Sequence, residues 1–281
     1  MTPHDPSRTA IATSLMRALH TRSAPSPLLH DDWADRIVPA EIRRAVPDAA
    51  LRANAAFADV ILRSRCAEDA LHVAQAHGIA QYVLIGAGFD SYPQRHDSAA
   101  GALSIYEVDH PATQALKRRL LANHTAAQAG QPHYIAADLA HESLATALER
   151  SPFDSSRPAF FSWLGVTMYL SREANLATLR AVASCAARGS ELVFTYVDEA
   201  LLRPGHDAPA DFRELQQAVA SAGEGFLSGF DPAGLAALLL SLGYELLEDL
   251  GGDALVQRYD AAGVNGLRSN PAAHITHARV R

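Results

Sequence analysis

Cysteine is almost absent: Cys66 and Cys185 are the only two in 281 residues, and neither has a neighbouring Cys. That argues against a disulfide framework, a zinc knuckle and a Cys-x-x-Cys redox motif, and leaves two buried free thiols as the expectation. Positive charge is also short. Lys and Arg total 24 against 31 Asp and Glu, for a formal net charge of -7. Basic clusters go no further than pairs such as Arg118-Arg119, so nucleic acid is not an expected partner. Nowhere do about 18 apolar residues run uninterrupted, and Met1 to Ala10 is polar with two prolines. Neither a membrane span nor a secretory signal is expected, which places the chain in the cytoplasm. Gly-x-Ser-x-Gly elbows and Walker loops are missing, so acyl-enzyme and phosphoryl chemistry lose their usual signatures. Histidine is plentiful at 13, but the close pair His274 and His277 sits in a tail that reads as polar, with no carboxylate or Cys at ligand spacing. Solvated histidines and no metal are the expectation.

What is there is apolar material in α/β rhythm. Hydrophobic residues make up 48% and charged residues 20%, enough to cover both faces of a sheet. Residues 1–80 show helical spacing (Ile11, Leu15, Leu19, then Phe57, Val60, Ile61), broken at Pro25 and Pro27, and predict a helical cap within a single domain. From 81 to 281 the pattern predicts a Rossmann-like α/β core of about seven strands. Strands are expected at Tyr82 to Ile85, Leu103 to Val108, His133 to Ala137, Ala159 to Val166 and Leu192 to Val197, with two short ones near Glu245 and Leu255. Pro111 opens a helix. Ser171 caps another that Gly189 stops, and Asp231-Pro232 opens a third that Gly243 ends. Residues 199–230, charged and glycine-rich, predict a lid insertion over the site.

The sharpest local feature is Gly86-Ala87-Gly88 directly after the first strand. Glycines let backbone approach a ligand closely, and the helix that follows can receive an anion. An acidic residue about 20 positions on would take ribose hydroxyls, and Glu107 and Asp109 both fit. Ser91 stands where the dinucleotide fingerprint wants its third glycine, which favours a nucleoside without pyrophosphate. An amino-acid moiety carries only a carboxylate and an ammonium, so a short loop plus an arginine suffices. Arg63 and Arg65 lie just upstream.

Several segments in this order resemble the leucine carboxyl methyltransferase family, including its bacterial, polyketide-tailoring O-methyltransferase branch. They are Arg63-Ser64-Arg65, Gln81 through Ser91, Tyr106-Glu107-Val108-Asp109-His110-Pro111, Ala137-Asp138-Leu139 and Gly165 through Leu170. The resemblance spans roughly residues 10–260. It implies a class I methyltransferase fold, S-adenosyl-L-methionine as cofactor and S-adenosyl-L-homocysteine as product. It also implies a small-molecule acceptor from secondary metabolism. By position, Arg63 would hold the methionine carboxylate and Gly86, with Ala87 and Gly88, would pack against the cofactor. Asp109 would bind ribose with Glu107 as the weaker candidate, and Asp138 and Leu139 would flank adenine. Where the family commonly has Glu before the glycine matching Gly165, this chain has Leu164, preceded by Trp163, an indole that could line a sulfonium pocket. Asp90 and Arg95 read as fastenings of the loop.

Methyl transfer asks a protein mainly to align donor and acceptor and to exclude water. A carboxylate acceptor, favoured here, is already ionised and wants a positioning cation, for which Arg17, Arg22 and Arg213 are candidates. A phenol, with a reference pKa of about 10, wants a base, for which His110, His206 and Asp198 are candidates. Tyr196, Thr167 and Met168 are placed at the acceptor pocket. The rival readings are a nicotinamide-dependent oxidoreductase and an S-adenosyl-L-methionine-binding protein without turnover.

Overall fold

The computed structural model describes residues 7–96, 103–124, 131–203, 208–221 and 223–281. Seven strands form one sheet: β1 (Gln81–Ile85), β2 (Ser104–Asp109), β3 (His133–Ala136), β4 (Phe160–Trp163), β5 (Glu191–Val197), β6 (Tyr244–Gly251) and β7 (Ala273–Val280). Their order is β3-β2-β1-β4-β5-β7-β6. Pairings from β3 across to β5 are parallel, and β7 inserts antiparallel between β5 and β6. Strand order reverses between β1 and β4, and a crevice at the carboxyl ends of such strands is where open α/β sheets bind ligands.

Period-two alternation divides the apolar side chains between two faces. Tyr82, Leu84, Ile105, Phe160, Val193 and Ile275 point to one cluster, and Val83, Val108, Phe161, Trp163, Phe194 and Tyr196 to the other. The first face is covered by α1 (Arg8–Ser23), which Ser7 caps through Ala10 N, and by α4 (Phe57–Ala76), with the short α2 (Ala40–Ala45) and α3 (Asp48–Ala53) between them. Helix α4 packs against β4, β5 and β7, so the N-terminal segment supplies much of one layer of the sandwich, which the helices Pro111–Leu121 and Gly252–Tyr259 complete, as well as part of the cavity wall. After β1 come α5 (Tyr92–Arg95) and α6 (Pro111–Leu121), the latter started by a first-turn proline whose missing N–H costs nothing there. Next are α7 (Leu144–Glu149) and α8 (Arg172–Cys185), capped by Ser143 and Ser171. Between β5 and β6 run a 3-10 turn (Glu199–Leu202), α9 (Ala210–Ser221) and α10 (Leu235–Ser241). Helix α11 (Gly252–Tyr259) follows β6 directly.

Four local expectations are corrected. The fourth strand ends at Trp163 because Gly165, at φ +69°, turns the chain out of the sheet. Leu255 lies on helix α11, and the strand expected there is instead Ala273–Val280, in the segment read as a polar tail. Helix α8 ends at Cys185, and Gly189, at φ +85°, serves the turn into β5. Helix α10 begins at Leu235, because Asp231 caps Ala233 in a turn that precedes it.

Candidate functional site

At the carboxyl ends of β1, β2, β4 and β5 lies a cavity of about 750 Å³, inside the range of about 300 to 1,000 Å³ usual for small-molecule sites. Its floor is the turn after β1. Gly86 and Gly88 sit at φ +66° and +52°, backbone that favours glycine. The amides of Gly86 and Ala87 donate to Val108 O at 2.8 and 3.2 Å, tying the turn to β2. A Cβ on Gly86 would meet Val166 Cγ2 at 2.6 Å, so the loop after β4 closes on this turn more tightly than any side chain allows.

Asp109 ends β2 beneath that turn. Its Oδ2 accepts from Gly88 N and its Oδ1 from His110 N, both at 2.7 Å. Burial raises its pKa, and the two amides oppose the shift. Each oxygen keeps a lone pair toward the cavity it lines, which suits sugar hydroxyl donors.

Arg63 enters from α4. Its guanidinium lies against Gly165, where a Cβ would stand 2.6 Å from Nη2, so the positive-φ glycine after β4 is also the space the arginine occupies. Gly165 N donates to Thr195 Oγ1 at 2.7 Å and Thr167 Oγ1 to Thr195 O at 2.6 Å, fixing this wall to β5. Among the described residues Arg63 makes no hydrogen bond or ion pair, and burial lowers its pKa. A cation that opens on a cavity and makes no direct ion pair among the described residues fits an anionic ligand group.

The structure brings Arg17, Arg63, Gly86, Ala87, Gly88, Asp109, His110 and Asp138 to this one cavity. Arg17 is engaged: its Nε donates to Asp31 at 2.8 Å and its Nη2 to Phe89 O at 2.6 Å. His110 caps α6, its Nδ1 accepting from Ala112 N at 3.3 Å. Asp138 holds Ala140 N at 3.0 Å and His141 at 2.8 Å.

Other expected residues fall elsewhere. Glu107 shares a strand face with Asp109, but its carboxylate receives both hydrogen bonds from Lys117 Nζ, at 2.7 and 2.8 Å, and does not line the cavity. Trp163 is fully buried in the opposite core, away from the lining. Leu139 packs on that same core and is likewise outside the lining. Tyr196 touches the cavity, but its hydroxyl donates to Asp249 at 2.9 Å, and burial followed by that carboxylate raises its pKa far above the usual phenol value. Asp198 caps the 3-10 turn after β5 through Ala200 N. Arg22 pairs with Asp35 and Asp48 on the surface. His206 lies outside the described residues. The loop after β1 is fastened by Asp90, which accepts from Tyr92 N at 2.7 Å, and by Arg95, which pairs with Glu68.

The cavity also contains groups that sequence reading missed: Asp59, Tyr169, Glu224, Asn270 and His274. Asp59 carried a signal, one turn before Arg63 on the same helical face. Asn270 and Glu224 lie in irregular loops, whose tertiary position no periodicity announces.

A seven-stranded sheet in this order, with an antiparallel strand inserted beside the last parallel pair and a glycine turn and acid at its switch point, defines a class I methyltransferase. The comparisons agree. Residues 10–183 match the leucine carboxyl methyltransferase family. YktD of Bacillus subtilis (strain 168), which bears the name of an S-adenosyl-L-methionine-dependent methyltransferase, is 31% identical over 218 residues, covering 78% of this chain and 71% of that protein. A similarly named protein of Mycolicibacterium smegmatis is 30% identical over 208 residues, covering 70% and 69%. Among solved structures, a Thermobifida fusca protein described as a methyltransferase aligns with TM-score 0.62 over 99% of this chain and 96% of its own, at 18% identity. A DUF574 family protein from Streptomyces avermitilis aligns with TM-score 0.59 over 96% and 97%, also at 18% identity, and these two show the fold alone. The chain belongs to the leucine carboxyl methyltransferase family. It is a methyltransferase that uses S-adenosyl-L-methionine.

Proposed function

We propose that this protein methylates an oxygen of a small molecule, and that the acceptor is a hydroxyl in preference to the carboxylate expected from sequence. The cofactor, when bound, supplies a methyl group on a positively charged sulfur. The described residues fit it. Arg63, which makes no hydrogen bond or ion pair among the described residues, is a cation for its carboxylate, Gly86-Ala87-Gly88 gives a floor of small residues, and Asp109 offers acceptors to its ribose. Asp138, at the far end of the cavity beyond β3, serves the adenine side.

The charge of the lining carries the acceptor preference. A carboxylate acceptor needs a free positioning cation. Among the described lining residues the two arginines are taken: Arg17 by Asp31 and the Phe89 carbonyl, Arg63 by the cofactor in this reading. The histidines of the lining are held by neighbours, His110 at Ala112, His141 at Asp138 and His274 at Asp249. What the lining offers instead is Asp59, with Glu224 beside its hydrogen bond from Thr9 Oγ1, carboxylates that repel an anion and accept from a hydroxyl. Leu164, Met168, Phe212, Leu215 and Phe226 give the rest an apolar surface suited to a hydrophobic acceptor body.

Labelled methyl transfer from S-adenosyl-L-methionine across matched acids and phenols tests this. A base-stable ether from phenols supports it. A base-labile ester from the acids alone refutes the acceptor assignment, and cofactor binding without any methylated product favours a binding protein that lacks turnover.

A further inference from the structure

Two polar side chains in the cavity wall are unusual for groups so buried. Asp59 on α4 and Asn270 in the loop before β7 are 8% and 6% exposed, and both line the cavity. Asn270 Oδ1 accepts from Ala272 N at 2.9 Å, which fixes the amide orientation, because a flip would set two donors against each other. Its Nδ2 is then buried without a partner among the described residues. Leaving such a donor unpaired in the protein interior is costly, so its persistence calls for an explanation. Asp59 uses only Oδ1: it accepts from Asn270 N at 3.2 Å and from Ser269 Oγ. Its Oδ2 makes no hydrogen bond among the described residues. The backbone contact between these two residues brings an unused donor and an unused acceptor to neighbouring residues of the cavity wall.

We propose that Asp59 and Asn270 form the acceptor subsite and that they take a neutral phenolic or alcoholic hydroxyl. Asn270 Nδ2 donates to the hydroxyl oxygen, and Asp59 Oδ2 accepts its proton. This rests on the methyl-transfer reading above and names the residues that select the acceptor. As the oxygen forms its bond to the methyl carbon, the carbon–sulfur bond breaks and its electron pair stays on sulfur. The hydroxyl proton moves to Asp59, so one cation and one carboxylate become two neutral groups. A carboxylate acceptor has no proton for Asp59 to take and would place a second anion against it.

The electrostatics of Asp59 suit this role. Burial pushes its pKa up to about 6, with Ser269, Asn270 N and Arg63 pulling the other way, and a base is most effective when its pKa lies near working pH. Arg63, one turn on along α4, is the charged group that bears on it. Charges on the elements packed against α4 are engaged elsewhere: Arg17 with Asp31, Arg52 with Ser23, Asp48 with Arg22, Arg258 with Glu248, Tyr259 with Asp69 and His274 with Asp249.

The test uses the full chain saturated with S-adenosyl-L-homocysteine. Phenol, catechol and naphthol are titrated against benzoate, phthalate and naphthoate, with thermal unfolding as the readout. Phenols should raise the unfolding temperature of the wild type and the acids should not. Asn270→Asp keeps the acceptor for Ala272 N but removes the donor, and should lose the phenol response while keeping the response to S-adenosyl-L-homocysteine. Asp59→Asn should still bind phenols, but its kcat with the best-bound phenol should fall by about 100-fold or more. It should also lose the rising limb of the pH profile near pH 6 that the wild type shows. Stabilisation by the acids alone, a phenol response unchanged in Asn270→Asp, or no response to any phenol overturns the subsite. Failure of the wild type to respond to S-adenosyl-L-homocysteine overturns the methyltransferase reading itself, and the subsite with it.

Discussion

Replacing Arg63 by Met tests the cofactor reading most directly, because affinity and stability should move in different directions. Arg63 is enclosed at Gly165 and makes no ion pair or hydrogen bond among the described residues, and its burial disfavours the charged form. The ligand-free protein therefore carries a cation without a direct ion pair among the described residues, eased only by the fields of Asp59 and Tyr169 and by the cavity. In the complex a carboxylate would answer it. Two charge-assisted hydrogen bonds at about 1.5 to 3 kcal/mol each set a loss of about 3 to 6 kcal/mol on truncation. At about 1.4 kcal/mol per decade, even the low end weakens binding by more than about 100-fold. Titration calorimetry with S-adenosyl-L-homocysteine reads this loss. Thermal unfolding without ligand reads the other half: Met fills similar space without a charge, so the unliganded variant should be as stable as wild type or more so. Wild-type affinity in Arg63→Met, or a sharp loss of unliganded stability, would refute the reasoning, since either result means that the guanidinium already has a protein partner.

Other outcomes follow from the same structure. Gly165→Ala forces an L-residue to φ +69° and a Cβ to 2.6 Å from the Arg63 guanidinium; chemical denaturation should show a loss of about 1 to 2 kcal/mol, and S-adenosyl-L-homocysteine should bind more weakly. Glu107→Gln leaves Lys117 buried without its counter-charge, which should cost about 3 to 5 kcal/mol of stability; ligand affinity per folded molecule should be unchanged, and a specific loss of affinity would return Glu107 to the ribose. Burial holds the Asp59 pKa at about 6 in the folded protein, against an ordinary value of 3.8. Its contribution to stability is therefore full below about pH 4 and is lost as pH rises through about 6, a change of about 3 kcal/mol. The stability difference between wild type and Asp59→Asn, measured by denaturant unfolding from pH 4 to 7, should shift by about that amount against the wild type, and a flat difference would place Asp59 in water.

The sequence was legible where a local rule decided the outcome. The run Tyr82 to Ile85 is apolar and β-rich and ends on glycines that permit φ +66° and +52°, so strand and turn could be read from adjacent residues. Ser171 and Pro111 marked helix starts through caps that act within three residues. Reading failed where a distant chain segment supplied the partner. His274 and His277 looked solvated, yet Asp249 on β6 accepts from the first and Glu191 on β5 from the second, inside a strand, Ala273–Val280, that lies between those two strands. Trp163 could be read as a pocket wall or as core packing, and the β4 pleat turns it into the other core.

By itself the sequence determined most of the elements up to β5, the glycine turn and the set of acids and arginines from which a site could be built, because propensity, capping and positive φ are settled among near neighbours. Only the tertiary structure decided which of them the site uses. Glu107 and Asp109 project from the same face of one strand, and Lys117, ten residues on, removes the first while backbone amides hold the second at the cavity. Asn270 could not be found from its own surroundings, because an unpaired donor is a property of everything packed around it. Burial and pairing are sums over residues far apart in the chain, and no local pattern contains them.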